Sequence, residues 1–337
     1  MKHCIALWTF LAAVIGLAVG LVGLTSFESA WGMEPMQQDQ SPPPPWFTGT
    51  LLSTRGRTVD QGHLVVQPYV YYTRYGGVYT NNWRLQSATT SQNIIEQTYF
   101  IYGVTDRFDI ELCPQWLQNY SRGETSNGFG DLSLQLGFQA VRPRDDSWAP
   151  SVRLWVQELF PTGRFTNLHP GTSLVDATGG GSFATTFGLG IQKPLNLGEG
   201  HVLRYRFNVT RTLYTSVSVT GFNAYGGGFG TDGHVAPGQV TNLLAAAEFT
   251  LTRHWGLALD ISYQVVEATR FSGTVGISPT SVPATVGRGS GELLSLAPAV
   301  EYHLNGQVGL IAGPWFSVLG RNTSSFLGGV AAIYFFF

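Results

Sequence analysis

The chain has 337 residues, 43% of them hydrophobic and 13% aromatic but only 12% charged, and its formal net charge is −2. A charge this close to zero supplies no basic field for nucleic acid, and a charged fraction this low without a helical apolar stripe argues against a soluble helical domain. The cysteines are Cys4 and Cys113 alone, which excludes a disulfide framework or a cysteine-built metal site once the front of the chain is removed.

At the front, Lys2 and His3 precede an apolar run from Cys4 to Leu24, followed by small and polar residues up to Gly32. A basic start, an apolar core and small residues before a polar stretch read as a secretory signal over 1–32, cleaved within Ala30–Gly32. The run is also long enough to span a bilayer, so an uncleaved anchor is the competing reading. N-terminal sequencing that finds Met1 retained would select the anchor. Residues 33–60 follow, rich in Gln and Pro and containing Pro42-Pro43-Pro44-Pro45, which favour extended polyproline backbone. This stretch is expected to be a periplasmic segment.

Residues 61–337 are expected to form the third region, a barrel. Period-two alternation marks twelve strands near 62–75, 92–103, 107–119, 128–141, 149–162, 180–193, 200–213, 239–252, 255–268, 290–303, 307–319 and 325–337. Short connections alternate with longer ones at 76–91, 163–179, 214–238 and 269–289, while 120–127 and 320–324 are intermediate. The pattern is that of an all-β, transmembrane, antiparallel up-and-down β-barrel in a bacterial outer membrane, with short periplasmic turns and longer outer loops. A bilayer admits sheets only as closed barrels, because an open edge leaves backbone groups unpaired in hydrocarbon. Two places break the alternation. At Gln157-Glu158-Leu159-Phe160 a β-bulge is expected, and Ile94-Ile95 leaves the phase of the second strand open.

The alternation also assigns faces. Leu132, Leu134, Leu136 and Phe138 face lipid, as do Trp255, Leu257, Leu259, Ile261 and Tyr263. The same phase turns Asp109, Glu111, Asp131, Arg153, Arg204, Arg206, Glu248, Asp260, Glu301 and His303 inward. Each basic residue would cost about 2–4 kcal/mol at the bilayer midplane, so the lumen is the favoured side. These ten residues are the candidate selectivity charges, with Arg153, Arg204 and Arg206 set opposite Asp109, Glu111 and Asp131. A closed lumen braced by the same charges is the alternative.

The chain ends Ile333-Tyr334-Phe335-Phe336-Phe337, with 333, 335 and 337 on one face. A strand ending on Phe resembles the closing strand of bacterial outer-membrane barrels, where the terminal aromatic belongs to the signal read by the barrel-assembly machinery. Expected partners are therefore outer-membrane lipid, that machinery through Phe337, and a small-molecule solute. No catalytic constellation stands out. No Gly-x-Ser-x-Gly elbow and no histidine pair at zinc-helix spacing occur, and Gly226-Gly227-Gly228-x-Gly230 lies in a loop with no helix after it. The chain is expected to be neither an enzyme nor dependent on a cofactor or metal.

Three motifs recur in order. Tyr102-Gly103-Val104-Thr105-Asp106-Arg107-Phe108-Asp109-Ile110 comes first, then Gly128-Phe129-Gly130-Asp131 at a strand start, then Pro161-Thr162-Gly163 at the top of the next strand. Together they resemble the outer-membrane family named for the meta pathway of phenol degradation, whose members are assigned as transporters. The resemblance covers most of 60–337. It implies a barrel that takes up hydrophobic or aromatic compounds by passive diffusion. On the residues alone, the motifs read as turn and folding elements. A non-conducting barrel that acts through its outer loops is the second functional reading.

Overall fold

The computed structural model describes residues 46–143, 148–170 and 175–337, so the expected signal over 1–32 and the start of the Pro-rich segment lie outside the described residues. Every regular element described is a strand. They are β1 (Leu64–Tyr79), β2 (Leu85–Thr105), β3 (Phe108–Cys113), β4 (Gln115–Ser121), β5 (Glu124–Phe129), β6 (Leu132–Val141), β7 (Ser151–Phe160), β8 (Ala184–Gly198) and β9 (His201–Tyr214). They continue as β10 (Val217–Thr220), β11 (Asp232–Ala236), β12 (Val240–Thr250), β13 (Trp255–Val266), β14 (Arg270–Thr274), β15 (Gly291–His303), β16 (Val308–Arg321) and β17 (Thr323–Phe336).

Fourteen of these strands form one antiparallel sheet, and β1 pairs with both β17 and β2, which closes it. β3 and β4 are one crossing interrupted at Pro114, whose missing N–H breaks the ladder. β5 and β6 are the neighbouring crossing, interrupted at Gly130-Asp131. Counted this way, the described residues make a closed barrel of twelve antiparallel crossings. Closure gives every crossing a partner on both sides, as a bilayer demands, while the β5 portion of its crossing pairs with β4 alone.

Inward and outward residues alternate as the sequence phase predicts. On β13, Leu257, Leu259 and Ile261 are exposed outward while Ala258 and Asp260 are buried inward. On β1 the odd positions from Val65 to Tyr79 turn inward, and on β2 Ile95 pairs with inward Tyr71, which settles the open phase.

The structure corrects three expectations. Residues 76–91 are not a long loop: β1 and β2 continue as a paired ribbon to a tight turn at 80–84. Residues 120–127 are likewise mostly the β4–β5 ladder. No bulge occurs at 157–160, where β7 runs in unbroken register against β8; Glu158 faces outward and accepts a hydrogen bond from Thr185 Oγ1 (2.7 Å). Above the wall, β10, β11 and β14 form a small separate sheet around buried Val217, Val219 and Val235.

Candidate functional site

The described part of the expected periplasmic segment, 46–60, lies inside the barrel. Its sequence is Trp-Phe-Thr-Gly-Thr-Leu-Leu-Ser-Thr-Arg-Gly-Arg-Thr-Val-Asp, with small polar residues and no strand or helix periodicity. Such a segment cannot satisfy its own backbone, and buried N–H groups need acceptors. The inward side chains of the wall provide them. Thr48 N–H donates to Glu301 Oε2 (2.9 Å) and Gly56 N–H to Gln192 Oε1 (3.1 Å). Thr58 N–H donates to Gln139 Oε1 (2.7 Å) and Val59 N–H to Asp109 Oδ2 (3.1 Å). Leu52 and Ser53 both donate their N–H to the Asp260 carboxylate (3.2 and 3.1 Å). The acceptors sit on β15 and β13 on one side of the closed wall and on β8, β6 and β3 across from them, so the segment is a plug across the lumen.

At the short-turn end, Arg253 lies over the Trp46 ring at 4.2 Å and Arg204 over Phe47 at 4.0 Å. Deeper in, Leu51 is buried among Ala258, Ala297, Ala299 and Ala332. These small inward residues on β13, β15 and β17 leave the volume that the leucine fills. Burying it contributes about 1.5–3 kcal/mol to seating the plug.

The candidate charges form networks with one another and with the plug. Arg153 donates to Asp109 at 2.6 Å, both side chains fully buried. Arg55 of the plug reaches Asp109 and Glu111, each at 3.4 Å. Arg204 donates to both Glu248 oxygens (2.7 and 2.5 Å), and Arg206 lies 3.0 Å from the same carboxylate. Glu301 lies 3.4 Å from His303, whose ring also approaches Thr48 Oγ1 at 3.5 Å. Of the opposition expected from sequence, then, only Arg153 with Asp109 forms, while Arg204 and Arg206 converge on Glu248. Gly137 makes the buried pair sterically feasible, since a Cβ there would collide with Arg153 Nη2 and Asp109 Oδ1.

Asp131 belongs to neither network. Its Oδ1 accepts from Gly163 N–H and its Oδ2 from Gly180 N–H, both at 2.9 Å. Thr162 Oγ1 donates to Gly130 carbonyl oxygen (2.7 Å) and accepts from Leu132 N–H (3.0 Å). The Gly128–Asp131 and Pro161–Gly163 motifs are therefore two halves of one clamp that holds the loop following β7 against the strand break. Gly179 must be glycine here, because a Cβ would strike the Asp131 carboxylate. Asp131→Ala removes two charge-assisted bonds, each worth about 1.5–3 kcal/mol. The expected result is rapid proteolytic cleavage within 163–180 while the barrel resists; unchanged digestion would show that the clamp does not hold the loop.

The sequence reading missed the aromatic wall, although Tyr69, Tyr71 and Tyr75 already share one face by period two. Tyr75 packs near Phe326 (6.2 Å between centroids), Phe326 near Trp315 (4.6 Å), Trp315 near Tyr71 (6.2 Å), and Tyr71 near Tyr69 (5.5 Å). Tyr75 also lines an outer cavity of about 760 Å³ with Tyr120 and Phe222. Tyr69 and Tyr71 line a smaller pocket against the plug. The ladder thus connects the outer cavity with the plug. Among the described residues, no group of three or more His, Cys, Asp or Glu side chains could hold a metal ion.

A closed antiparallel barrel with lipid-facing aliphatic strands and a polar, plugged interior defines the class of outer-membrane β-barrels. The sequence matches no protein-family profile, and no curated protein matches it. Among solved structures, the COG4313 outer membrane channel from Pseudomonas putida F1 is similar at a TM-score of 0.61 and 14% identity, covering 84% of this chain and 98% of that one. The transport unit of the autotransporter AIDA-I from Escherichia coli is similar at TM-score 0.44 and 9% identity, over 80% of this chain and 89% of that one. The Pseudomonas putida toluene transporter TodX is similar at TM-score 0.40 and 11% identity, over 82% and 90%. At 14% identity the likeness to the COG4313 channel is one of fold.

Proposed function

We propose that the protein is a passive outer-membrane channel for small solutes, hydrophobic and aromatic ones among them, of the kind implied by the meta-pathway resemblance. The observation that carries this reading is the inward ladder of Tyr75, Phe326, Trp315, Tyr71 and Tyr69 between the outer cavity and the plug. Aromatic faces at this spacing offer stacking and edge contacts to flat solutes along the whole path. The inward charges other than Asp131 brace the plug, directly or through one another, and line the path when it shifts. Neutralising Arg204 and Arg206 together, in a barrel whose plug has been loosened, is expected to shift the reversal potential. Residues 1–32 deliver the chain across the inner membrane, and Phe337 addresses it to the assembly machinery.

Planar-bilayer conductance of the refolded chain tests the function. Discrete openings that small aromatic solutes block support it. The plug itself favours the second reading, a non-conducting barrel that acts through its outer loops. A barrel shown to be folded yet silent, with and without such solutes, would select that reading.

A further inference from the structure

Between the plug backbone at 48–55 and the wall lies a pocket of about 120 Å³. A cavity of about 150 Å³ takes up benzene, so this one is on the scale of a single ring. Its aromatic side is a corner. Tyr69 and Tyr71 stack at 5.5 Å and 15°, while Tyr99 meets Tyr69 edge-on at 5.5 Å and 84°. A flat ring entering this corner can stack on one face and meet the edge of another, both of which are favoured geometries.

The polar side of the pocket is rich in donors, and Glu111 is the one carboxylate in its lining. Gln97 Nε2 donates to Tyr99 Oη (2.7 Å) and Gln67 Nε2 to Tyr69 Oη (3.1 Å). Each phenol oxygen is thereby an acceptor, which leaves its own proton to donate. Arg55 and Arg206 also line the pocket, and the Nε of each is buried without an acceptor. Buried donors without acceptors are rare and costly, and a bound group that supplies an oxygen would satisfy them. Both guanidiniums already have carboxylate partners. Arg55 faces Asp109 and Glu111, and Arg206 faces Glu248. A full negative charge on the ligand would add to those carboxylates, whereas a neutral acceptor would not.

We propose that this pocket binds one planar aromatic ring carrying a neutral oxygen acceptor, an aryl ketone or aldehyde being the simplest case. Tyr71 and Tyr99 select the ring, and Arg55 and Arg206 select the oxygen. The proposal rests on the channel reading for the route by which the solute arrives, along the ladder from the outer cavity.

The test uses the folded full chain in micelles and 4-fluoroacetophenone, read by fluorine NMR line broadening. Unlabelled acetophenone is expected to reverse the broadening. Ethylbenzene lacks the acceptor, cyclohexyl methyl ketone lacks the flat ring, and benzoate carries a charge; each should compete about tenfold less well. Tyr99→Leu and Tyr71→Leu should weaken binding by about tenfold, and Arg55→Gln should erase the preference for acetophenone over ethylbenzene. Leu259→Ala, on the lipid face, should change nothing, and heat-modifiable gel mobility verifies that each variant is folded. Equal competition by ethylbenzene, stronger competition by benzoate, or unchanged binding in folded Tyr99→Leu would overturn the proposal. Solute-blockable conductance without this binding would sink the pocket and leave the channel. Binding in an electrically silent barrel would sink the channel and leave the pocket.

Discussion

Asp260→Ala is expected to raise the open probability of the refolded barrel by about a hundredfold. Asp260 is fully buried and accepts two backbone N–H bonds, from Leu52 and Ser53, where the plug is deepest. A hydrogen bond to a charged group contributes about 1.5–3 kcal/mol net of water exchange, so losing both weakens the seated state by about 3 kcal/mol or more. Each 1.4 kcal/mol is about tenfold in the ratio of closed to open states. Seating the plug also takes the carboxylate out of water, and alanine removes that cost. The exchange with water is already contained in the net value, and the two orphaned N–H groups remain, so the sign stands. Asp260→Asn keeps one carbonyl acceptor and should give an intermediate effect. Ile261→Ala, on the lipid face one residue away, should leave conductance unchanged. Single-channel recording decides between the outcomes. A folded Asp260→Ala barrel with wild-type conductance would mean that the plug does not gate the lumen.

The wall was legible in the sequence because lipid on one side and polar groups on the other impose period two on every crossing. Residues 85–91, Leu-Gln-Ser-Ala-Thr-Thr-Ser, read as loop because pairing there continues above the hydrocarbon, where no apolar face is needed. Polarity reports the solvent, and backbone pairing does not depend on it. The plug was illegible for a different reason. Its backbone partners lie far away in sequence, with Thr48 bonded to Glu301 and Leu52 to Asp260, and nothing local to 46–60 encodes them. The inward phase of the charges could be read, but their partners depend on register. Arg204 stands directly across the ladder from Glu248, a pairing fixed by where β9 and β12 align. The clamp lay between the two, since both motifs were visible and only their contact was not.

The buried pair of Arg153 and Asp109 carries the largest expected effect on stability. Asp109 holds three partners at once: Arg153 at 2.6 Å, Val59 N–H at 3.1 Å and Arg55 at 3.4 Å. Asp109→Ala leaves Arg153 fully buried with no carboxylate, and its Nε and Nη1 already lack acceptors. Breaking a buried pair by removing one partner costs about 3–5 kcal/mol, most of it from the stranded charge. Urea unfolding, followed by loss of heat-modifiable mobility, should show that loss. Asp109→Ala combined with Arg153→Met removes the stranded charge and should recover most of it, because a well-packed apolar replacement of a buried pair is often near neutral. Gly137→Ala drives a methyl into the same contact, so its cost should not add to that of Asp109→Ala. If the two losses add in full, the glycine supports the wall by some route other than the pair. If the double variant is no more stable than Asp109→Ala, Asp109 acts chiefly through Val59 and Arg55, as an anchor of the plug.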